Sequence, residues 1–112
     1  MNYKLLNDNK RKFLNLMKPL HKGVQINTHN SLEHELKKAE IFYNAKKEGL
    51  EVFTEVHLKS TGHTGQRIAD VIVLDLQVPI IYEVADSETE DSLNKKLEDF
   101  NKLGLRMKVI RL

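Results

Sequence analysis

Apolar residues recur at helical spacing in three segments of the chain. The first runs from about residue 5 to Pro19, the second from about 31 to a stop at Gly49, and the third from about 88 to 102. The apolar positions of the second segment are Leu32, Leu36, Ala39 and Tyr43. This spacing predicts three helices, and the second is expected to begin either at Ser31 or at a capping box that joins Asn30 to Glu33. For the third, Ser87 and Glu90 form the expected capping box.

Between the second and third predicted helices the period changes to two. Alternating residues predict a strand from about 52 to 57, and an apolar run predicts another at 68–74, interrupted only by Asp70. Residues 80–84 follow after a short turn and are expected to pair with that run as a hairpin. Residues 107–112 predict a last strand, parallel to an inner one because a helix crosses over before it.

These elements give the order α-α-β-β-β-α-β, which predicts an α/β fold with a mixed central sheet flanked by helices. At 112 residues the chain fits a single domain, 1–112. Residues 1–30 are expected to form a basic N-terminal helix and loop. No segment is long and apolar enough for a membrane span, and the first residues lack the apolar core of a signal peptide, so an intracellular, cytoplasmic protein is expected.

Charge and motifs limit the classes of ligand that the protein is expected to bind. The net charge of +2 combines +5 in residues 1–30 with −3 in the remainder, which suits a protein that binds phosphates with one part and a cation with another, although a solvated helix face explains the basic part equally well. The absence of cysteine excludes a thiolate metal site. The glycines match no phosphate-binding loop, so no nucleotide cofactor is expected.

Two acidic residues interrupt strands that are otherwise aliphatic. Asp70 and Glu83 are expected to lie on neighbouring strands, where two buried carboxylates would repel each other unless a divalent cation lies between them. The alternative is a pair of structural contacts, in which Asp70 binds Arg67 while Glu83 binds Lys59 or faces water. The presence of both acids favours the metal site over this alternative.

The chain from about Ser31 to Leu112 resembles the PD-(D/E)xK nuclease superfamily, which includes restriction endonucleases and archaeal Holliday-junction resolvases. The similar segments are Glu33-His34-Glu35-Leu36, Ile68-Ala69-Asp70-Val71 and Ile81-Tyr82-Glu83-Val84-Ala85. The resemblance implies a restriction-endonuclease-like core in which Glu33, Asp70 and Glu83 are catalytic residues that bind Mg²⁺ or Mn²⁺.

The resemblance also shows a departure, because Ala85 occupies the position of the family's catalytic lysine. Lys95 and Lys96 on the following helix are the candidate replacements. They point about 100° apart, so only one of them can face the site, and Lys95 is taken as the candidate. A solvated surface role remains the alternative for both.

The implied function is a metal-dependent endonuclease that hydrolyses DNA phosphodiester bonds, with branched DNA as one implied substrate and a homodimer as the implied assembly. The residues expected to contact the DNA backbone are Lys10, Arg11, Lys12, Lys18, Lys22, Lys59 and Arg67. The alternative, favoured by Ala85, is a nuclease fold without catalysis that binds nucleic acid or serves in assembly.

Overall fold

A computed structural model describes residues 22–59, 66–74 and 78–112, apart from the side chains of residues 59 and 66. The elements in this part are α1 Leu32–Lys47, β1 Val52–Lys59, β2 Gln66–Val73, β3 Ile80–Ala85, α2 Glu90–Lys102 and β4 Arg106–Arg111. The predicted α/β class is therefore confirmed, with six of the seven predicted elements in place. The helix predicted from residue 5 to Pro19 lies outside the described residues.

The four strands form one mixed sheet in the order β1-β2-β3-β4. β2 pairs antiparallel with both β1 and β3, and β3 pairs parallel with β4. The predicted hairpin and the predicted parallel strand are thus both observed. The parallel pair follows from the α2 crossover, since a parallel connection needs a long excursion between its two strands.

One helix packs on each face of the sheet. Ala45 of α1 packs with Val52, Val71 and Val73, and Phe100 of α2 packs in the second core. The other buried members of that second core are Val56, Leu58, Ala69, Ile72, Leu74, Ile81 and Leu105. The result is a three-layer arrangement in which the sheet is covered on both sides. None of the described helices is long and apolar enough to cross a membrane.

The N-cap of α1 is one of those predicted from the sequence, whereas the N-cap of α2 is not. Ser31 is the N-cap of α1, and its hydroxyl accepts a hydrogen bond from the main-chain N–H of His34. The N-cap of α2 is Thr89, whose Oγ1 accepts a hydrogen bond from Ser92 N at 3.2 Å. The capping box predicted at Ser87 is therefore wrong, because the N-cap of α2 lies two residues later. The hydroxyl of Thr89, directly before the first turn, accepts from a free main-chain N–H in place of Ser87.

Helix α1 forms where its apolar spacing predicted it, yet the apolar side chains face outward. Leu32, Leu36 and Tyr43 are 68%, 59% and 64% exposed. The buried side chains of α1 are His34, Glu35, Lys38 and Ala45. The helix therefore turns a charged side toward the sheet over its first two turns, which is the reverse of the usual amphipathic arrangement.

The alternation of β1 shifts by one residue at Glu55. Val52 packs on the α1 face, whereas Val56, four residues later, packs on the α2 face. Glu55 itself has a φ of 51°, in the left-handed region that non-glycine residues seldom adopt. β2 makes the same shift at Asp70, because Ala69 and Val71 lie in different cores. The two irregular residues lie at the same interruption of the β1–β2 pairing, between the pairs Thr54–Val71 and Val56–Ala69.

Candidate active site

Three acidic residues lie side by side across three neighbouring strands. The β1–β2 pairing is interrupted at Glu55 and Asp70, and Asp70 N donates a hydrogen bond to Glu83 Oε1 of the next strand. They share an open cavity of about 200 Å³. The residues that line this cavity are Asn27, Asn30, His34, Glu55, Ile68, Asp70, Glu83, Glu88 and Lys96. The hairpin therefore brings Asp70 and Glu83 together, as their positions in the sequence predicted.

Asp70 and Glu83 hold each other through the main chain. Asp70 N donates to Glu83 Oε1 at 3.1 Å, and Val84 N donates to Asp70 Oδ2 at 2.9 Å. Glu83 is 1% exposed. Within the described residues the contacts to Asp70 use Oδ2, so its Oδ1 can take a ligand. These hydrogen bonds fix two carboxylates at the rim of a cavity.

The pKa values of Asp70 and Glu83 are both raised, because burial disfavours their ionised forms. Burial, followed by the charge of Asp70, raises the pKa of Glu83 to about 8. Burial also raises the pKa of Asp70, against the hydrogen bond from Val84 and the nearby His34 and Lys96. At neutral pH the metal-free pair therefore holds a proton, which a divalent cation could replace.

A lysine from α2 reaches this pair. Lys96 Nζ lies 3.4 Å from Glu83 Oε2 and 2.8 Å from Glu88 Oε2. Burial alone would lower the pKa of Lys96, but the carboxylates of Glu83 and Glu88 outweigh burial and raise it. Lys95 is exposed and lies outside the site. Of the two candidate lysines, the structure thus brings Lys96 to Glu83 and turns Lys95, the one expected from the sequence, to solvent.

A histidine from α1 contacts the second acid. His34 Nε2 lies 3.3 Å from Asp70 Oδ2, and His34 Nδ1 lies 2.6 Å from Glu35 Oε2. An ionised carboxylate only accepts hydrogen bonds, so Nδ1 carries a proton and donates it to Glu35. Glu35 thereby fixes the orientation of the ring, and Nε2 faces Asp70.

Glu35 anchors the charged side of α1. Its carboxylate accepts from Asn27 N at 2.6 Å and from Asn30 Nδ2 at 3.2 Å, and it pairs with Lys38 Nζ at 2.5 Å. Burial acts to raise its pKa, but these hydrogen bonds and that from His34 outweigh it and lower the pKa to about 2. Glu35 therefore stays ionised throughout the neutral range.

Lys38 connects this anchor to the sheet. Its side chain is fully buried, and Nζ lies 2.8 Å from Glu55 Oε1 as well as beside Glu35. A buried ammonium needs such partners, because an unpaired charge in the interior costs several kcal/mol. Contacts thus run without a break from Asp70 through His34, Glu35 and Lys38 to Glu55, which lines the same cavity as Asp70.

Glu33, the helix acid expected at the site, is exposed and lies outside this cluster. The side chains that α1 turns to the sheet are those of the next residues, His34 and Glu35, followed one turn later by Lys38. The sequence carried one signal for them. Glu35 and Lys38 are spaced three apart, as in a helical ion pair, and they fall outside the apolar stripe.

The residues expected to bind DNA are only partly described. Lys22 is exposed, and Arg67 Nε pairs with buried Asp99 Oδ2 at 2.7 Å instead of with Asp70. The alternative in which Arg67 neutralises Asp70 is therefore not observed. Lys10, Arg11, Lys12 and Lys18 lie outside the described residues, and so does the side chain of Lys59.

The donor atoms present fit a hard cation held mainly by water and substrate. Within residues 22–59, 66–74 and 78–112, no three histidine, aspartate or glutamate side chains converge as a complete ligand group. Mg²⁺ needs no complete protein cage, because it binds through one or two carboxylates and keeps several waters or phosphate oxygens. Asp70 and Glu83 meet that lower requirement.

No protein-family model matches the chain, and no match was found among the curated proteins.

Proposed function

We propose that this chain is a metal-dependent nuclease with a PD-(D/E)xK-like core that hydrolyses phosphodiester bonds in DNA. The observation that carries the proposal is the meeting of Asp70, Glu83 and Lys96 at one cavity. Two neighbouring carboxylates can hold a divalent cation, and a lysine beside one of them adds a positive charge where a phosphate would lie. The order of strands and helices from residue 31 onward is compatible with such a core.

Asp70 and Glu83 would hold the cation, Mg²⁺ or Mn²⁺. When bound, such a cation supplies a water of lowered pKa and neutralises charge on the phosphate. In the hydrolysis itself a water would lose a proton to solvent and its oxygen would bond to phosphorus, while the bond from phosphorus to one ester oxygen breaks and that oxygen takes up a proton. His34 holds Asp70 in place through its 3.3 Å contact, and Glu35 holds His34.

Lys96 takes the role left open by Ala85. Its ammonium lies 3.4 Å from Glu83 Oε2, so it also borders the space in which water and phosphate would meet. A cation in this position orients the attacking water and stabilises the extra negative charge of the transition state. The replacement by alanine at position 85 therefore does not remove the lysine from the site. It changes the element from which the lysine comes.

The cavity has room beyond the acids for the rest of a nucleotide. A neighbouring polar cavity of about 270 Å³ shares Asn30, His34 and Glu88 with the acidic one. Its remaining lining residues are His29, Ser31, Asp86 and Ser87. Hydroxyl, amide and imidazole groups of this kind bind sugar and phosphate oxygens without reading the bases. A preference for branched DNA and a homodimeric assembly remain predictions.

Cleavage of supercoiled plasmid and of a four-way junction tests the proposal. The wild type is compared with Asp70→Asn and Glu83→Gln in Mg²⁺, Mn²⁺ or EDTA, and Glu33→Gln is the matched control on the exposed side of α1. We expect cutting in Mg²⁺ or Mn²⁺ only, with a loss of about 100-fold or more in the two strand variants and none in the control.

Two outcomes would contradict the proposal. Folded wild type that cuts neither substrate with either metal, but still binds DNA with salt-dependent affinity, would establish the alternative of a nuclease fold that binds without catalysis. Equal cutting by wild type and by Asp70→Asn would mean that the activity arises elsewhere or from a contaminant.

A further inference from the structure

The imidazole of His34 is held in one orientation at the wall of the acidic cavity. His34 Nδ1 lies 2.6 Å from Glu35 Oε2, and the side chain of His34 is only 9% exposed. The carboxylate of Glu35 is itself fixed, since it accepts from Asn27 N at 2.6 Å and pairs with Lys38. The ring therefore has little freedom to turn away, and its Nε2 is presented to Asp70 Oδ2 at 3.3 Å.

The two atoms that face each other across this contact both carry lone pairs. Because His34 Nδ1 donates its proton to Glu35, the neutral imidazole has its lone pair on Nε2. Asp70 Oδ2 is a carboxylate oxygen, which already accepts from Val84 N at 2.9 Å. Two lone pairs 3.3 Å apart are stable only with a positive centre next to both of them. A shared proton or a metal cation can be that centre.

The surroundings of His34 are those of a metal-binding histidine. In metal sites a carboxylate commonly accepts from one ring nitrogen, which fixes the ring and leaves the other nitrogen for the cation. Two ligand atoms that lie about 2.1 Å from one cation, at right angles to each other, are about 3.0 Å apart. The 3.3 Å between His34 Nε2 and Asp70 Oδ2 is close to that separation. Both residues line the acidic cavity together with Glu83.

We propose that His34 Nε2 is a third protein ligand of the cation at Asp70 and Glu83, and that the site takes a first-row transition-metal ion such as Mn²⁺ in preference to Mg²⁺. Imidazole nitrogen is a softer donor than carboxylate oxygen, and Mg²⁺ binds mainly oxygen. On binding, Nε2 contacts the cation in place of Asp70. Glu83 completes the set only then, because Asp70 N and Lys96 engage its oxygens in the metal-free protein. The inference rests on the metal site of the proposed function and concerns the identity of its cation.

Electron paramagnetic resonance of Mn²⁺ added to the full chain tests the proposal. The signal of free Mn²⁺ gives the Kd for Mn²⁺, and competition by Mg²⁺ gives the Kd for Mg²⁺. Electron-spin-echo modulation of the bound Mn²⁺ detects a coordinated nitrogen, and protein labelled with ¹⁵N in its histidines alone identifies that nitrogen as imidazole. The variant is His34→Asn, whose side-chain amide can still donate to Glu35 but which has no Nε2. The matched control is His57→Asn, a histidine of β1 outside the lining of the acidic cavity.

We expect modulation from a coordinated histidine nitrogen in the wild type and in His57→Asn, and none in His34→Asn. Mn²⁺ should bind His34→Asn about 10- to 100-fold more weakly than it binds the wild type, whereas the Mg²⁺ affinity should change less. Bound Mn²⁺ without nitrogen modulation in the wild type would overturn the inference, whether or not the variant folds. Equal losses of Mn²⁺ and Mg²⁺ affinity in His34→Asn would also overturn it, by showing that His34 acts only by placing Asp70.

Failure of this inference can be distinguished from failure of the proposed nuclease function. Nitrogen-coordinated Mn²⁺ in a wild type that cuts neither plasmid nor junction would support the inference and contradict the nuclease. Cutting that is lost in Asp70→Asn, by a protein whose bound Mn²⁺ shows no nitrogen modulation, would support the nuclease and overturn the inference. A wild type that binds no Mn²⁺ would overturn both the metal site and the role of His34.

Discussion

Lys96 Nζ lies 3.4 Å from Glu83 Oε2, whereas the side chain of Lys95, the preceding residue, is exposed. Adjacent helical positions point about 100° apart, so Lys96 contacts Glu83 while Lys95, on the same helix, faces solvent. A variant at Lys95 is therefore a control for a variant at Lys96. Helix α2 thus places a lysine beside Glu83, whereas position 85 of β3 is alanine.

This pair gives the first prediction. Lys96→Ala should lower the rate of plasmid cleavage at saturating Mg²⁺ by about 100-fold, because it removes a positive charge next to the reacting phosphate. Lys95→Ala should leave the rate unchanged. The measurement is single-turnover cleavage by both variants at the same DNA occupancy. Equal losses in the two would show that the lysines act through general attraction of DNA, and no loss in either would remove Lys96 from the mechanism.

Metal binding should stabilise the protein, and more so at higher pH. The pKa of Glu83 is raised to about 8 in the metal-free state, so a cation must displace a proton below that pH. At a metal concentration 100 times Kd the gain is about 2.7 kcal/mol. We expect the thermal midpoint to rise with Mn²⁺ or Mg²⁺, with a smaller rise at pH 6 than at pH 8.5, and no rise in Asp70→Asn. An equal rise in that variant would place the cation elsewhere.

The metal-free protein should lose stability as pH increases toward 8. The folded pKa of Glu83 lies above the ordinary value of 4.5, so the folded state holds the proton more tightly. Stability from this group is complete below about pH 4.5 and is lost progressively up to about pH 8. Glu83→Gln cannot ionise, and in EDTA at pH 8 it should be more stable than wild type by roughly 1–3 kcal/mol. Urea unfolding from pH 5 to 8 measures this, and parallel curves for the two proteins would contradict it.

The strands, the hairpin and the pairing of Asp70 with Glu83 could be predicted because they depend on local patterns. Alternation defines a strand, and a short turn between two strands leaves little choice of partner. The contributions of α1 could not be predicted in the same way. Its apolar stripe indicates a helix, but the side that meets the sheet depends on where partners for charged residues lie.

Those partners depend on features without a sequence signal. Glu55 can meet Lys38 only because β1 shifts phase at a residue with a φ of 51°, a conformation that glutamate seldom adopts. Glu33 was the helix acid implied by the family resemblance, yet α1 turns His34 and Glu35 toward the sheet and leaves Glu33 exposed. Backbone irregularities of this kind cluster at functional sites, where the surrounding contacts stabilise them.

The contact between Glu35 and Lys38 yields the last prediction. Lys38→Met should destabilise the fold by about 3 kcal/mol, since it leaves the buried carboxylate of Glu35 and the partly buried one of Glu55 without their cation. Lys37→Met, at a partly exposed neighbouring position, should change stability by less than about 0.5 kcal/mol.

The pKa of Glu35 is lowered to about 2, so the stability that Glu35 contributes is present above about pH 4.5 and is lost as pH falls toward 2. Removal of Lys38 weakens that contribution. The free energy of unfolding, measured in urea at about pH 7 and about pH 3, should therefore differ less between Lys38→Met and wild type at the lower pH. An equal difference at both would mean that Lys38 stabilises the fold by packing alone, without the charge of Glu35.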